Sequence, residues 1–388
     1  MSGMIGRVKE LGNTLYDVVL RVHRRRTELR KMQDKRRVAI YGEVHLSDEQ
    51  ISEVNRIYGE NYGERIPLVW HRYFTAYTGK FDAAYFPDLL AIPELERYMN
   101  PYSEYVRILG EKNVLPMLAS AAGVKMPKTV ASLSKGMWRD GDYRTVTRDE
   151  ALALINAEGR VFVKPAVDTS SGEGCAVLDV ENGIDRISKK PVGEIIDSMG
   201  SDVAVQRLLK CHESISALYP NSVNTFRIMT YRWNGVIEHC PAIMRIGRGG
   251  GFVDNAHAGG MFVAIDDDGV LHSTAFTEFM DRFTVHPDTG VVFDGYRIES
   301  FGRAIEAAKR MHYAMPQLGV VHWDFTIDEN GEPVMIEANS FGGGVWIVQM
   351  AHGRSLFGEK TADILRYIAK MKRLTPKQRE GHYWQSVD

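Results

Sequence analysis

Hydrophobic and polar positions along this chain follow two rhythms, and the change falls near residue 110. Before it, apolar residues recur at helical spacing: Ile5, Val8, Leu11, Leu15, Val18 and Val19 mark one stripe near the N-terminus. Ser47 to Gln50 has the pattern of a capping box and opens a helix running to about Tyr58. Pro67 to Asn100 is rich in aromatics and interrupted by Pro87 and Pro93. No strand–helix–strand alternation occurs here. The pattern predicts a mostly helical region over residues 1–110 and excludes a Rossmann-like start.

After residue 110 short β-rich runs take over. Thr147 and Glu150 cap a short helix, and Arg160 to Pro165 reads as a strand. The loop Asp168 to Gly174 leads to a second strand, Cys175 to Val180, and Ala204 to Leu209 reads as a third. Phe226 to Trp233 and Val236 to Ile246 flank Asn234-Gly235, a strong hairpin signal. Met261 to Asp266 and Val270 to Ser273 flank a turn at Gly269. Ser300 to Gln317 is an amphipathic helix whose buried face is Ala304, Ile305, Ala308, Met311 and Met315. The expected architecture is α+β with antiparallel hairpins. It divides into a helical region 1–110, α+β subdomains over 111–205 and 206–374, and a polar, mobile tail over 375–388.

The most informative stretch is Gly319 to Gly344, GVVHWDFTIDENGEPVMIEANSFGGG. A two-residue turn at Asn330-Gly331 pairs Glu329 with Glu332, Ile327 with Val334, Phe325 with Ile336 and Asp324 with Glu337. Alternation then places Val321, Trp323, Phe325, Ile327, Val334, Ile336 and Ala338 on one apolar face. The other face carries His322, Asp324, Glu337 and Asn339. Two carboxylates directly opposed across a ladder repel unless a cation lies between them. Hard oxygen ligands, without His or Cys, select Mg²⁺ or Mn²⁺, and Asn339 adds a neutral carbonyl. His322 either contacts a phosphate or substrate or pairs with a carboxylate.

Composition narrows the field. With 44% apolar and 25% charged residues the chain is an ordinary globular one, and a net charge of −2 gives no global field for nucleic acid. Cys175, Cys211 and Cys240 are scattered without a CxxC pair, which argues against a disulfide framework or zinc site. No apolar run is long enough to span a bilayer, and the N-terminus lacks a secretory apolar core, so the cytoplasm is expected. One local bias stands out: His23 to Arg37 carries eight Lys/Arg against two acids. It is either a solvated helix face or a contact for an anionic surface or partner.

A lysine inside an apolar strand is costly without an anionic partner, and Lys164 sits in Val161-Phe162-Val163-Lys164. The following loop, with Ser170, Ser171, Gly172 and Gly174, can close over phosphates, although it is not a Walker A motif. Strand lysine, Gly/Ser loop and a later Asp…Glu-x-Asn set together resemble the ATP-grasp superfamily, as in D-alanine–D-alanine ligase, over about residues 110–350. The segments SVNTFRIMTY, HPDTGVVFDGY and HWDFTIDENGEPVMIEANSFGGG resemble the sugar-transfer associated (alpha-L-glutamate ligase-related) ATP-grasp proteins. The resemblance implies an ATP-grasp fold of two α+β subdomains clasping ATP, behind a helical N-terminal region.

It also implies roles. Lys112 and Lys164 resemble the two nucleotide lysines, and Gln206 to Leu209 stand where the adenine hinge lies, with Gln206 replacing the usual Glu. Glu213 matches the ribose-binding acid, Arg227 the cation on the γ-phosphate, and Asp324, Glu337 and Asn339 the metal ligands. His322 stands where D-alanine–D-alanine ligase has a catalytic arginine. Ser340 to Gly344 would hold the acceptor through backbone N–H groups, or is a flexible glycine turn. Apart from the resemblance, His257, on the Gly-flanked loop Asp254 to Gly260 after Arg245 and Arg248, faces phosphates or substrate or lies on a surface loop. The implied reaction is Mg-ATP-dependent ligation of a small-molecule carboxylate to an amine or other nucleophile, free or carrier-bound, through an acyl phosphate. Its setting would be glycan or natural-product biosynthesis. The competitors are a kinase acting on a hydroxyl and a non-catalytic nucleotide-binding protein.

Overall fold

The computed structural model describes residues 2–167 and 174–387. The first third is helical, as the pattern predicts, with helices at Ser2–Lys31, Lys35–Gly42, Asp48–Asn61, Val69–Thr78, Ser103–Gly110 and Leu115–Ala121. Ser47 accepts from the Gln50 N–H and the Gln50 side chain accepts from the Ser47 N–H, so the capping box is complete. Between Pro87 and Asn100 the chain makes consecutive helical turns, Asp88–Leu90, Ala91–Leu95 and Glu96–Met99. The middle one is a π turn containing Pro93, whose missing N–H disrupts the regular ladder. Aromatic side chains of this region, Tyr58, Trp70, Phe74, Tyr85 and Phe86 among them, share one core with the helices Trp346–His352 and Thr361–Arg373.

The first helix packs with its charges inward. Asp17 is ion-paired with Arg97 and Arg379, and Arg25 bonds Glu94 and Tyr62; in the next helix Arg37 bonds Glu278. The basic run is therefore only partly a solvated face. The apolar stripe is the exposed one: Val8, Leu11, Leu15, Val18 and Val19 all face solvent, while the Ile5 side chain lies outside what is described. Among the described residues no helix is long and apolar enough to cross a membrane. The C-terminal segment is packed, contrary to the mobility expected of a polar tail. Its Arg379 is buried against Asp17 and Tyr98, and the Trp384 carbonyl accepts from the Asn234 N–H.

Two antiparallel sheets follow. The first contains β1 (Thr129–Ser134), β2 (Met137–Asp140), β3 (Thr145–Val146), β4 (Arg160–Pro165), β5 (Ala176–Glu181), β6 (Ile184–Asp185) and β7 (Asp202–Arg207). Their order is β3-β2-β1-β7-β4-β5-β6. Helices Arg148–Glu158 and Val192–Ser198 supply apolar residues to the core of this sheet. The strand containing Gln206 ends at Arg207, so Leu208 and Leu209 lie in the extended segment beyond it.

The second sheet contains β8 (Thr225–Trp233), β9 (Val236–His239), β10 (Ala242–Ile246), β11 (Met261–Ile265), β12 (Leu271–Phe276), β13 (Arg282–Phe283), β14 (Val320–Ile327) and β15 (Pro333–Asn339). Its order is β13-β12-β11-β10-β8-β14-β15, with β9 also on β8. Asn234 and Gly235 both have positive φ and close the expected two-residue turn. The long strand expected after them breaks at Cys240-Pro241 into β9 and β10. The helix expected over 300–317 spans Phe301–Tyr313; Met315 lies beyond its end but is still buried.

The hairpin β14–β15 has the predicted register at its far end and a different one near its turn. The loop holds three residues, not two: Asp328 and Glu332 close it, and the Gly331 N–H donates to the Asp328 carbonyl. Ile327 therefore faces Pro333 and Phe325 faces Met335. A bulge at Ile336 then takes up one residue, and Asp324 faces Glu337 and His322 faces Asn339. Two one-residue offsets cancel. The correction falls on Val334, which pairs with Thr326 and not Ile327, and on Ile336, which leaves the apolar face to Met335 and turns toward a cavity.

Candidate functional site

A cavity of about 1150 Å³ lies between the two sheets and the helical region. Its floor is the hairpin, where Asp324, Glu337 and Asn339 line it together with Arg227 of β8 and Arg245 of β10. The like-charge problem of the opposed carboxylates is met by guanidinium groups. Arg227 Nε and Nη2 bond the two Asp324 oxygens at 2.6 and 3.1 Å, and Arg245 Nη2 lies 3.1 Å from Oδ2. Arg245 in turn lies 3.6 Å from Asp254, which accepts from the Thr225 N–H and hydroxyl. Burial alone would raise the pKa of Asp324, but Arg227 and Arg245 hold it below the usual carboxylate value.

Glu337 is more open, with 37% of its side chain exposed and Lys112 Nζ at 3.8 Å. Asn339 makes no side-chain hydrogen bond among the described residues and also faces the cavity. Glu337 and Asn339, backed by Asp324, are hard oxygen donors converging on one cavity wall, and they fit a small divalent cation. Lys112 and Lys164 stand across from them. Among the described residues lining the cavity, basic ones outnumber acidic ones nine to five, which suits a polyanionic ligand.

Lys164 is buried, and burial pulls its ammonium down to about 8, with Lys112 adding to the fall and Glu337 opposing it. Its folded pKa lies below its ordinary 10.5, so between about 8 and 10.5 the unfolded chain holds the extra proton and stability rises with pH. Below that window the buried charge costs stability. Lys164→Met is expected to stabilise the ligand-free protein at pH 7 by roughly 2 kcal/mol and by much less at pH 10. Urea melts at the two pH values measure this, and an equal change at both would refute the burial argument.

The first sheet supplies the opposite wall. Gln206, Leu208, Leu209 and Lys210 line it as the segment leaves β7. The Gln206 side chain is buried and its Nε2 has no partner among the described residues, an orphan donor that a purine ring nitrogen would satisfy. Gly174 has a positive φ, and a Cβ there would sit 3.1 Å from the Pro165 ring, so glycine suits the position. Ser170, Ser171 and Gly172 lie outside the described residues.

Two expected site residues lie elsewhere. Glu213 begins a short helix after His212; it is exposed and does not line the cavity. Nor is His322 a lining residue. It is buried beneath the glycine loop, with Nε2 3.2 Å from Glu96, whose other oxygen accepts from the Gly342 N–H at 2.7 Å. Of the alternatives for His322, the structure shows the pairing with a carboxylate. His257 does line the cavity, half exposed, with Nδ1 2.7 Å from Glu278.

A Cβ on Gly343 would overlap the His322 ring. Gly343→Ala is expected to lift the loop, destabilising the fold by about 1–3 kcal/mol and lowering turnover at least tenfold. Thermal melts with steady-state rates test this, and unchanged values in both would count against a packed loop. Sequence reasoning missed Glu96, Asp88 and Glu28, three acids of the helical region that are buried here. For Asp88 and Glu96 the only signal was an acid placed among apolar residues; Glu28, inside the basic run, carried none. Asn100 locks that region to the hairpin, donating to the carbonyls of Val320 and Ser340 and accepting from the Gly319 and Val320 N–H groups.

Among protein-family models, one described as sugar-transfer associated ATP-grasp matches residues 92–364. No curated protein matches the sequence. Among solved structures the chain is similar to the VanG D-Ala:D-Ser ligase from Enterococcus faecalis, with a TM-score of 0.42 and 14% identity, over 68% of this chain and 62% of that one. It is similar to D-alanyl-alanine synthetase A from Vibrio cholerae, with a TM-score of 0.42 and 15% identity, over 70% and 65% of the two chains. An L-amino acid ligase from Bacillus licheniformis gives a TM-score of 0.38 and 14% identity, over 69% and 48%. The chain thus spans less than two thirds of the length of each of these structures.

Proposed function

This chain belongs to the sugar-transfer associated ATP-grasp family, and from that premise we propose that it is an ATP-dependent, ADP-forming ligase that joins a carboxylate to an amine or other nucleophile. The observation that carries the reading is the gathering of Lys112, Lys164, Arg227 and Arg245 with Asp324, Glu337 and Asn339 around one cavity. In this reading Lys112 and Lys164 hold phosphate oxygens, and Gln206 with Leu209 holds the adenine edge. Arg227 and Arg245 keep Asp324 ionised and supply fixed positive charge near the γ-phosphate. Glu337 and Asn339, backed by Asp324, would hold Mg²⁺, or Mn²⁺, which when bound neutralises charge on the β- and γ-phosphates.

The substrate carboxylate oxygen attacks the γ-phosphorus, the bond to the β-phosphate oxygen breaks, and ADP leaves. The nucleophile then attacks the acyl carbon, the bond from that carbon to the phosphate oxygen breaks, and inorganic phosphate leaves. Keeping water away protects the acyl phosphate. The family's description motivates placing the reaction in glycan or natural-product biosynthesis, with the acceptor free or carrier-bound.

Phosphorus NMR of a reaction with Mg-ATP and pooled carboxylates and amines tests this reading. ADP and inorganic phosphate in equal amounts, dependent on both pools, are expected. A new phosphoester without inorganic phosphate would replace the ligase with a kinase.

A further inference from the structure

The wall of the cavity opposite the nucleotide side belongs to the helical region, and its chemistry is different. Glu28, Lys31, Met32, Trp70, Asp88 and Ile92 line it. Asp88 is 6% exposed, and its Oδ1 has no hydrogen-bond partner among the described residues. Glu28, also buried, takes the Lys31 ammonium at 2.8 Å and leaves that cation engaged. Arg37 is likewise engaged, by Glu278 at 3.0 Å. A buried carboxylate without a partner is costly, and folded proteins keep one where a ligand completes it.

The geometry points to Asp88 as the binding site for the ammonium group of an amine-bearing acceptor, with Trp70, Met32 and Ile92 receiving its apolar part. This rests on the ligase reading, for which it names the acceptor class. Two acids on one wall favour a cation over a neutral hydroxyl or an anion. Lys31 and Arg37, committed to Glu28 and Glu278, leave Asp88 unpaired. Burial and then Glu28 push the Asp88 carboxyl up to about 7, against the pull of Lys31 and Arg37, so near neutral pH a cation would find it at least partly ionised. Glu96, a further neighbour that also pushes it up, ties this wall to the glycine loop above the metal ligands through the Gly342 N–H. An acceptor held here would lie beside that loop.

The test needs no turnover. The full chain, with and without Mg-ADP, is titrated with benzylamine and with benzyl alcohol, its neutral counterpart, while the fluorescence of Trp70 and Trp346 is followed. Wild type is expected to bind the amine at least about tenfold more tightly than the alcohol, equivalent to roughly 1.4 kcal/mol. Asp88→Asn should abolish that preference, leave Mg-ADP affinity unchanged and raise the melting temperature by about 2 °C or more, because it removes an unpaired buried charge. A merely structural Asp88 predicts the opposite sign for the melting temperature. The inference is overturned by equal binding of the two probes, by no saturable binding of either, or by a preference that survives Asp88→Asn. Failure on any of these counts with normal Mg-ADP binding leaves the ligase reading standing, because that reading is decided by products.

Discussion

Glu337→Gln is expected to lower kcat/KM by at least about a thousandfold while the fold melts within roughly 0.5 kcal/mol of wild type. The asymmetry follows from where Glu337 sits. Its side chain is partly exposed and its nearest cation is Lys112 at 3.8 Å, so losing the charge costs the fold little. It even relieves repulsion with Asp324, its partner across the ladder. The same charge is one of the hard oxygen donors that no neighbour can replace, because both Asp324 oxygens are already engaged by Arg227 and Arg245. Retained turnover would mean that Glu337 is not a metal ligand.

Arg227→Met should have the opposite profile, failing in both stability and rate. Arg227 is nearly buried, bonds both oxygens of Asp324 and also donates to the Gly343 carbonyl. Without it a buried carboxylate keeps only Arg245, and the expected loss is about 3 kcal/mol. On the proposed reading, turnover should fall at least about a thousandfold, since the fixed charge that would lie near the transferred phosphoryl group goes too. The double variant Arg227→Met with Asp324→Asn separates the effects. Its stability should recover most of the loss, because no unpaired charge remains, and its activity should not. Denaturant melts and ADP-release rates on the three proteins decide it; additive stability losses would show that the pair is not coupled.

Much of the site was legible because strand chemistry is local. A lysine in an apolar strand marks Lys164, and alternation on either side of a turn set Asp324 opposite Glu337 although the turn has three residues. The error at Asn330-Gly331 did no harm there because the Ile336 bulge restored the register. A bulge depends on what the strand packs against, which one strand's pattern does not carry. His322 has the right parity to share a face with Asp324, yet parity does not encode depth, and the glycine loop covers it. Glu213 shows the converse: its spacing from Gln206 does not fix which side of the next helical turn a carboxylate takes.

The helical wall was the least legible part. Asp88 and Glu96 occur in an apolar run broken by Pro87 and Pro93, where no single period applies and the π turn shifts the phase. Arg245 was visible only as a cation near a loop. Its pairing with Asp324 follows from β10 lying beside β8, a neighbour set by the break at Cys240-Pro241. The first helix inverts the usual expectation, since ion pairs with Arg97, Glu94 and Arg379 hold its polar side inward.

The central claim is carboxylate activation by ATP in the cavity between the sheets, and a hydroxylamine trap tests it most directly. The protein is incubated with Mg-ATP, pooled carboxylates and hydroxylamine, and products are read by mass spectrometry. The account predicts a new hydroxamate that requires ATP and disappears in Glu337→Gln. ADP formation with a phosphorylated metabolite and no hydroxamate would contradict it.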